Sequence, residues 1–230
     1  ENTCEAIRKL AYTLDNISRE RIHSELGKLL LSPNPDYINR AYELGITKVI
    51  CPVYDTIKDK NTVLQLLCMT KPYIWFRYAA VFVESDYKSA EAVLRGLKLD
   101  NNTISRVSCI IRNHGFEVPE DEVGTRRCIN ATGYAQMEDV IEFEYIYSTV
   151  VGDDVRSDRL RHMIGLMELI RKRGDCTDYK GLAIKGSDLI AVGMTPGKEI
   201  GEALKICLEL VLEKPECNTR EILLRKLNIE

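Results

Sequence analysis

The sequence lacks the compact motifs by which many enzymes are identified. It has no G-x-S-x-G nucleophile elbow and no GxxxxGK[ST] phosphate loop, and its three histidines, His23, His114 and His162, lie far apart. The neighbouring carboxylates Asp153–Asp154 and Glu120–Asp121 fall in loop-like stretches, where acidic residues favour turns, and neither pair has enough ligands for a calcium site. We therefore predict that this chain contributes no catalytic residue and no metal ligand.

The sequence also lacks a C-x-x-C pair and any long apolar run. Its eight cysteines are scattered, and several lie in apolar periodic segments where cysteine behaves as a small hydrophobe, which predicts reduced core thiols and no zinc site. No apolar run approaches the roughly 18 residues of a membrane span. The first residues, ENTCEAIRKL, have no signal-peptide core. These absences predict a cytoplasmic protein with no membrane partner.

Strong positive charge is absent as well. The net charge of −3 excludes a protein that coats nucleic acid by bulk attraction, so any RNA contact must be local. Three basic groups are candidates for such a contact: Arg19, Arg21 and Lys28; Arg156, Arg159 and Arg161; and Arg171, Lys172 and Arg173. Each is equally compatible with a solvated helix face.

What the sequence does contain is helical periodicity along almost its whole length, with short breaks, which predicts an all-α fold of packed antiparallel helices. One helix is predicted to begin at Ser18, and another to run from Asp36 to Leu44 and end at Gly45. The segment Val140–Val151 is rich in β-branched and aromatic residues, typical of strands. We predict a helix there because no partner strand is evident.

Two helix starts are predicted near the C-terminus. Thr195 is expected to cap a helix whose first residue is Pro196, so that Gly197 and Lys198 lie in the first turn. Free amide groups, the helix dipole and a lysine ammonium would then converge on an anion. The alternative is an ordinary capped helix with a solvated lysine. A second helix is predicted from Asn218, with Glu221 completing a capping box.

Two segments resemble a known family. The run NISRERIHSELGKLLLSPNPDYINRAYELGITKVICP resembles the neck that follows the catalytic head in bacterial class II CCA-adding tRNA nucleotidyltransferases and related poly(A) polymerases. The neck pattern S-x-E-R-I-x-x-E-L-x-K-L-L is represented by Ser18, Glu20, Arg21, Ile22, Glu25, Leu26, Lys28, Leu29 and Leu30. The tail motifs G-x-D-L and G-x-x-P-G-x-x-I-G are represented by Gly186, Asp188, Leu189, Gly193, Pro196, Gly197, Ile200 and Gly201.

The resemblance implies a tRNA-binding C-terminal portion that positions the acceptor arm and elbow of tRNA for a catalytic head. The head motifs are absent from this chain, so no cofactor is expected in it, and Mg²⁺, CTP and ATP are expected only in the head. The chain is expected to be a fragment, in keeping with Glu1 in place of an initiator methionine, or a natural headless relative. The expected partners are tRNA and the head, with no DNA, and the expected RNA-binding residues are Lys198, Gly197, Lys185, Arg19, Arg21 and Lys28.

The resemblance also implies a division into a neck (1–54), a degenerate HD-like body (55–115) and a helical tail (116–230). Val83 and Glu84 stand where an HD phosphohydrolase has its His-Asp pair, while His114 is retained, and one imidazole cannot hold a two-metal centre. His114 is therefore expected to be structural. The alternatives are a standalone helical RNA-binding or protein-interaction module, or a remnant of an HD phosphohydrolase. Whether the parent enzyme adds CCA, CC, A or poly(A) depends on the head.

Overall fold

The computed structural model describes residues 2–229, and these are 73% helical with no strand, which confirms the all-α prediction. The helices are α1 (Asn2–Leu10), α2 (Arg19–Leu31), α3 (Ile38–Glu43), α4 (Thr47–Ile50), α5 (Val53–Thr56), α6 (Lys60–Met69), α7 (Ile74–Val81), α8 (Tyr87–Gly96), α9 (Asn101–Arg112), α10 (Glu122–Thr132), α11 (Tyr134–Val151), α12 (Asp154–Arg173), α13 (Gly186–Ala191), α14 (Lys198–Glu213) and α15 (Arg220–Lys226). Short 3₁₀ helices cover Ala11–Asn16, Pro35–Tyr37 and Pro215–Cys217.

These elements form two compact units. The first unit comprises the chain up to Glu117 together with Glu138–Asp158, and the second comprises Val118–Met137 together with the chain from Arg159 onward. The three-part division into neck, body and tail stays a prediction. None of the helices within residues 2–229 is long and apolar enough to cross a membrane.

The core of the first unit is built around α7, in which every residue from Phe76 to Val81 is buried. The helices α2, α6 and α9 pack against α7, and α8 packs against α9. Aspartates fix several of these helix starts: Asp59, Asp86 and Asp100 each accept hydrogen bonds from amides of the first turn of α6, α8 and α9. Local capping and one apolar helix therefore set the frame of this unit.

The helix α11 covers the segment whose composition favours a strand. Its buried residues include Met137, Val140, Ile141, Glu144 and Ser148, which recur at helical spacing. That periodicity, rather than β propensity, decides the local structure, because only a helix presents all five to one face. The prediction of a helix at Val140–Val151 is confirmed.

The core of the second unit lies along α14. Ile200, Ala203, Cys207, Leu208 and Val211 of this helix pack with buried residues that include Leu182, Ile184, Leu189 and Leu223. Both α13 and α10 contact α14. The buried Arg126 of α10 donates to the Leu212 carbonyl at 2.6 Å and pairs with Asp175 at 3.0 Å. The end of α14 is thus fixed to α10 by a buried charged hydrogen bond.

Both helix starts predicted near the C-terminus are wrong in position. The helix α14 begins at Lys198, with Gly197 as its N-cap at φ 130°, so Thr195 is not the cap. Because this φ lies outside the helical region, Gly197 ends the preceding turn instead of joining the first turn of the helix. The helix α15 begins one residue later than predicted, with the Thr219 hydroxyl accepting from the Ile222 amide. Asn218 instead bonds to the backbone of Ala183 and Gly181.

The other local predictions hold more closely. Ser18 caps α2 and accepts from the Arg21 amide, and Gly45 follows α3 at φ 74°, as a C-terminal glycine does. All eight cysteines are free thiols. Cys51, Cys176 and Cys207 are buried, whereas Cys68 is exposed and lies outside the core.

Candidate nucleic-acid interface

The three basic residues predicted on α2 lie on two different faces of that helix. Arg21, Glu25 and Lys28 follow one exposed stripe, and the Lys28 ammonium pairs with Glu25 at 2.7 Å. Arg19 points elsewhere, because its guanidinium donates to the Val49 carbonyl at 3.3 Å and pairs with Asp15 at 3.4 Å. Within residues 2–229 the Arg21 side chain has no ion-pair or hydrogen-bond partner.

A cleft of about 460 Å³ lies beside this region, and sequence reasoning did not find it. Its lining includes Arg8 of α1 and Lys48 of α4, together with the turn Tyr42–Gly45 and Asp55. The Arg8 Nε atom donates to the Glu43 carbonyl at 3.3 Å, and the Lys48 side chain is exposed. The cleft therefore brings together two cations that stand 40 residues apart in the chain.

Arg8 and Arg19 are held in the same way. Each guanidinium donates one hydrogen bond to a main-chain carbonyl in the segment from Glu43 to Val49. A guanidinium has five N–H donors in a planar fork, so each arginine keeps donors for a bidentate contact with a phosphate. Since Lys48 lies in the same short segment, Arg8, Arg19 and Lys48 form a local basic group, which we call the neck group.

In the second unit, Lys185 precedes α13 and is partly engaged by the fold. Its amide donates to Asp188 at 2.7 Å, and its ammonium donates to the Lys180 carbonyl at 2.6 Å. Asp188 also accepts from Arg220 at 2.8 Å. The Lys185 amide and the Arg220 guanidinium together lower the pKa of Asp188, so this carboxylate is charged and offsets part of the local positive charge.

Gly197 and Lys198 form the start of α14. The Lys198 side chain is 91% exposed, and its ammonium lies 3.5 Å from Glu202. The first amides of this 16-residue helix point away from its hydrogen-bonded turns, as anion binding requires. Glu199 in the first turn and Glu202 one turn later add negative charge there. Lys198 is therefore accessible to an anion, but it is not part of a purely basic surface.

Two arginines of the remaining basic groups suggested by the sequence are engaged by carboxylates and carbonyls of the fold. Arg156 donates to the buried Glu144 at 2.6 Å and to the Phe116 carbonyl at 3.0 Å. Arg173 pairs with Glu122 and Asp175, and hydrogen bonds to these carboxylates raise its pKa. These arginines hold neighbouring segments together and leave little charge for a partner.

His114 takes part in the same buried network as Arg156. Its Nδ1 atom lies 2.5 Å from Glu144, which also accepts from the Gly115 amide at 3.1 Å. Burial raises the pKa of Glu144, but the bonds from His114, Arg156 and Gly115 outweigh burial, so this pKa lies below its usual range. Sequence reasoning missed Glu144, because nothing near it in the chain indicates a buried carboxylate.

Another cleft, in the first unit, is lined by Asp59, Glu84, His114 and Tyr147, among others. Glu84 accepts from the amides of Lys58 and Asp59, both at 2.9 Å, and so fixes the loop before α6. Among the residues that the structure describes, no group of three or more His, Cys, Asp and Glu side chains is arranged to hold a metal ion. The degenerate HD-like character of the body stays a prediction.

Comparison with known proteins adds two matches that together span most of the chain. A family model described as "Probable RNA and SrmB- binding site of polymerase A" matches residues 1–58. A second, described as "tRNA nucleotidyltransferase domain 2 putative", matches residues 74–227. No curated protein and no solved structure matches the chain. The neck group lies within the first match, and Lys185, Gly197 and Lys198 lie within the second.

Proposed function

We propose that this chain binds the acceptor arm and elbow of tRNA. It thereby positions the 3′ end for nucleotide addition by a catalytic head. The reason is that the chain belongs to the CCA-adding tRNA nucleotidyltransferase and poly(A) polymerase family, as a C-terminal portion. The match of an RNA-binding family model to residues 1–58, which contain the neck group, is the observation that carries this proposal. The proposal includes a cytoplasmic location for the protein.

The recognition is of shape and phosphate. An A-form stem hides its base edges in a deep, narrow groove and exposes phosphates and 2′-hydroxyl groups, which arginine and lysine contact without regard to sequence. Arg8 and Arg19 are pre-oriented by their bonds to main-chain carbonyls, so little side-chain freedom is lost when they meet a phosphate. Arg21, Lys28, Lys185, Gly197 and Lys198 supply further contacts in this proposal.

Contact with RNA through a few local cations also agrees with the net negative charge of the chain. A chain with net charge −3 gains nothing from bulk attraction to RNA, so a few oriented cations must provide the affinity. Each phosphate neutralised by one of them releases counterions, and binding then weakens as salt rises. This salt dependence distinguishes the proposal from a module that contacts only protein. A protein partner is the competing candidate, because the description of the first match also names SrmB.

The test is filter binding of the whole chain to tRNA across a salt series. A double charge reversal, Arg8→Glu with Lys48→Glu, is expected to weaken binding about 10-fold or more and to reduce the salt slope by about 2, one for each lost phosphate contact. Lys88→Glu is the matched control, because Lys88 is an exposed lysine of α8 outside the neck group. The proposal fails if tRNA does not bind, or if binding is independent of salt.

A further inference from the structure

The turn before α7 presents an aromatic pair at the surface of the first unit. The rings of Tyr73 and Trp75 are nearly parallel, with centroids 4.8 Å apart and an interplanar angle of 13°. Tyr73 is 48% exposed, although Phe76, three residues further along the chain, is buried. The Tyr73 carbonyl accepts from the amides of Phe76 and Arg77 at the start of the helix. A large ring is therefore held at the surface by a backbone that is hydrogen-bonded to the first turn of α7.

A cation, the guanidinium of Arg106, packs on the Trp75 ring of this pair. The Arg106 guanidinium carbon lies 3.6 Å from the centroid of the Trp75 ring, and two of its nitrogens each donate to Asp139 at 2.6 Å. The guanidinium and the Tyr73 ring must cover opposite faces of the indole, because at these distances one face has no room for both. Asp139 is buried, so the bidentate pair fixes Arg106 and, through it, the plane of Trp75.

The result is a layered stack, in the order Asp139-bound Arg106, Trp75 and Tyr73, that ends in an exposed phenol ring. Other exposed tyrosines differ in this respect: Tyr37 is 63% exposed and takes part in no ring stack among the described residues. A pre-oriented ring binds another flat π system with little further loss of conformational freedom. A tyrosine held in this stack is thus better suited to bind a flat aromatic ligand than a single mobile tyrosine is.

A cation also lies next to this stack in the sequence. Lys71 stands two residues before Tyr73; its side chain is 59% exposed, and its ammonium lies 2.9 Å from Glu142. A ligand that carries a negative charge beside its aromatic ring meets Lys71 in addition to Tyr73. An RNA nucleotide has both an aromatic base and a negatively charged phosphate. A hydrophobic peptide segment has no negative charge to pair with the Lys71 ammonium.

We propose that Tyr73, backed by Trp75, forms a stacking platform for one unpaired RNA base, with Lys71 beside the phosphate of that nucleotide. The base must be unpaired, because a base inside a duplex has both faces covered by its neighbours. This inference rests on the proposed function and extends it, since phosphate contacts recognise a stem whereas the platform recognises a single-stranded nucleotide. The platform gives little discrimination between bases, because every base has a π face.

Trp75 is the only tryptophan of the chain and stacks on the inner face of Tyr73, so its fluorescence reports on the surroundings of the platform. The whole protein is titrated with single-stranded oligo(A), with an RNA duplex of equal length, and with tRNA. Oligo(A) and tRNA are expected to quench Trp75, and the duplex is expected to leave the emission unchanged. Tyr73→Leu is expected to weaken oligo(A) binding about 5- to 100-fold, the range for loss of one base stack, whereas Tyr73→Phe retains binding.

Two controls keep the test independent of folding and of the proposed function. Tyr37→Leu removes an exposed tyrosine outside the stack and is expected to bind oligo(A) normally, and circular dichroism checks that each variant is folded. If tRNA binds on filters while Trp75 emission stays constant and Tyr73→Leu binds normally, the platform is refuted and the proposed function stands. If neither oligo(A) nor tRNA binds by either measurement, the platform and the proposed function are both refuted.

Discussion

The buried carboxylate Glu144 allows the sharpest test of how the first unit is stabilised. Its oxygens accept from His114, from the Gly115 amide and from Arg156, and its side chain is only 1% exposed. Glu144→Gln keeps the size of the side chain but removes the charge. It also turns an amide N–H₂ group toward one of the donors, so either one of these three hydrogen bonds is lost or His114 must change to the tautomer whose Nδ1 accepts.

The expected cost follows from these contacts. A hydrogen bond to a charged group contributes about 1.5–3 kcal/mol, and breaking a buried charged pair costs about 3–5 kcal/mol, because the remaining charge loses its partner. We expect Glu144→Gln to lower the free energy of unfolding by about 3 kcal/mol. Glu142→Gln is the matched control on the same helix. Its partner Lys71 is largely exposed, so the expected cost is at most about 1 kcal/mol.

The assay is urea unfolding followed by the fluorescence of Trp75, which lies in the same unit as Glu144. Because the pKa of Glu144 is lowered in the folded state, its contribution is fully present above the ordinary glutamate pKa of about 4.3. The contribution is lost as the pH falls through the lower, folded-state pKa. The difference between the wild type and Glu144→Gln should therefore shrink in acid. Equal shifts for Glu144→Gln and Glu142→Gln at neutral pH would refute the reasoning.

Three further predictions concern the second unit and the whole chain. Gly197→Ala should destabilise the protein by about 1–3 kcal/mol in thermal unfolding, because φ 130° is strained for a residue with a side chain. Gly201→Ala, in the helical part of α14 with open space around it, should be neutral or stabilising, and the same loss at both sites would contradict the strain argument. Lys198→Glu should weaken tRNA binding several-fold and reduce the salt slope by about 1, and unchanged binding would remove Lys198 from the proposed interface. The chain mixed with tRNA, CTP, ATP and Mg²⁺ should incorporate no nucleotide, and incorporation measured with labelled CTP would show that a catalytic centre had been overlooked.

Local structure was predictable where it depends on neighbouring residues. The start of α2 at Ser18 and the helix across Val140–Val151 follow from capping and apolar spacing, which involve residues a few positions apart. The start of α14 was not predictable in this way. Thr195 and Pro196 favour a start there, but Gly193 and Gly197 both adopt positive φ in the folded chain. A glycine permits such a turn without requiring it, so the packing around it decides.

The candidate RNA contacts were predictable only in part. Charge runs identify Arg19, Arg21 and Lys28 as surface cations, and each of the three is exposed. The runs do not show that Arg19 is oriented by the Val49 carbonyl, or that Arg156 is committed to Glu144. Arg8 and Lys48 also show no pattern in the chain, because the cleft that joins them exists only after folding.

The sequence by itself determined the all-α fold, the absence of recognisable catalytic motifs and the relation to tRNA nucleotidyltransferases. These depend on periodicity, capping and short motifs, all of which are local along the chain. Only the tertiary structure decided which charged side chains remain available to a partner, and which ring, Tyr73, is held exposed on a fixed stack. The physical reason is that ion pairs, clefts and stacked rings join residues distant in sequence, and folding alone sets those distances.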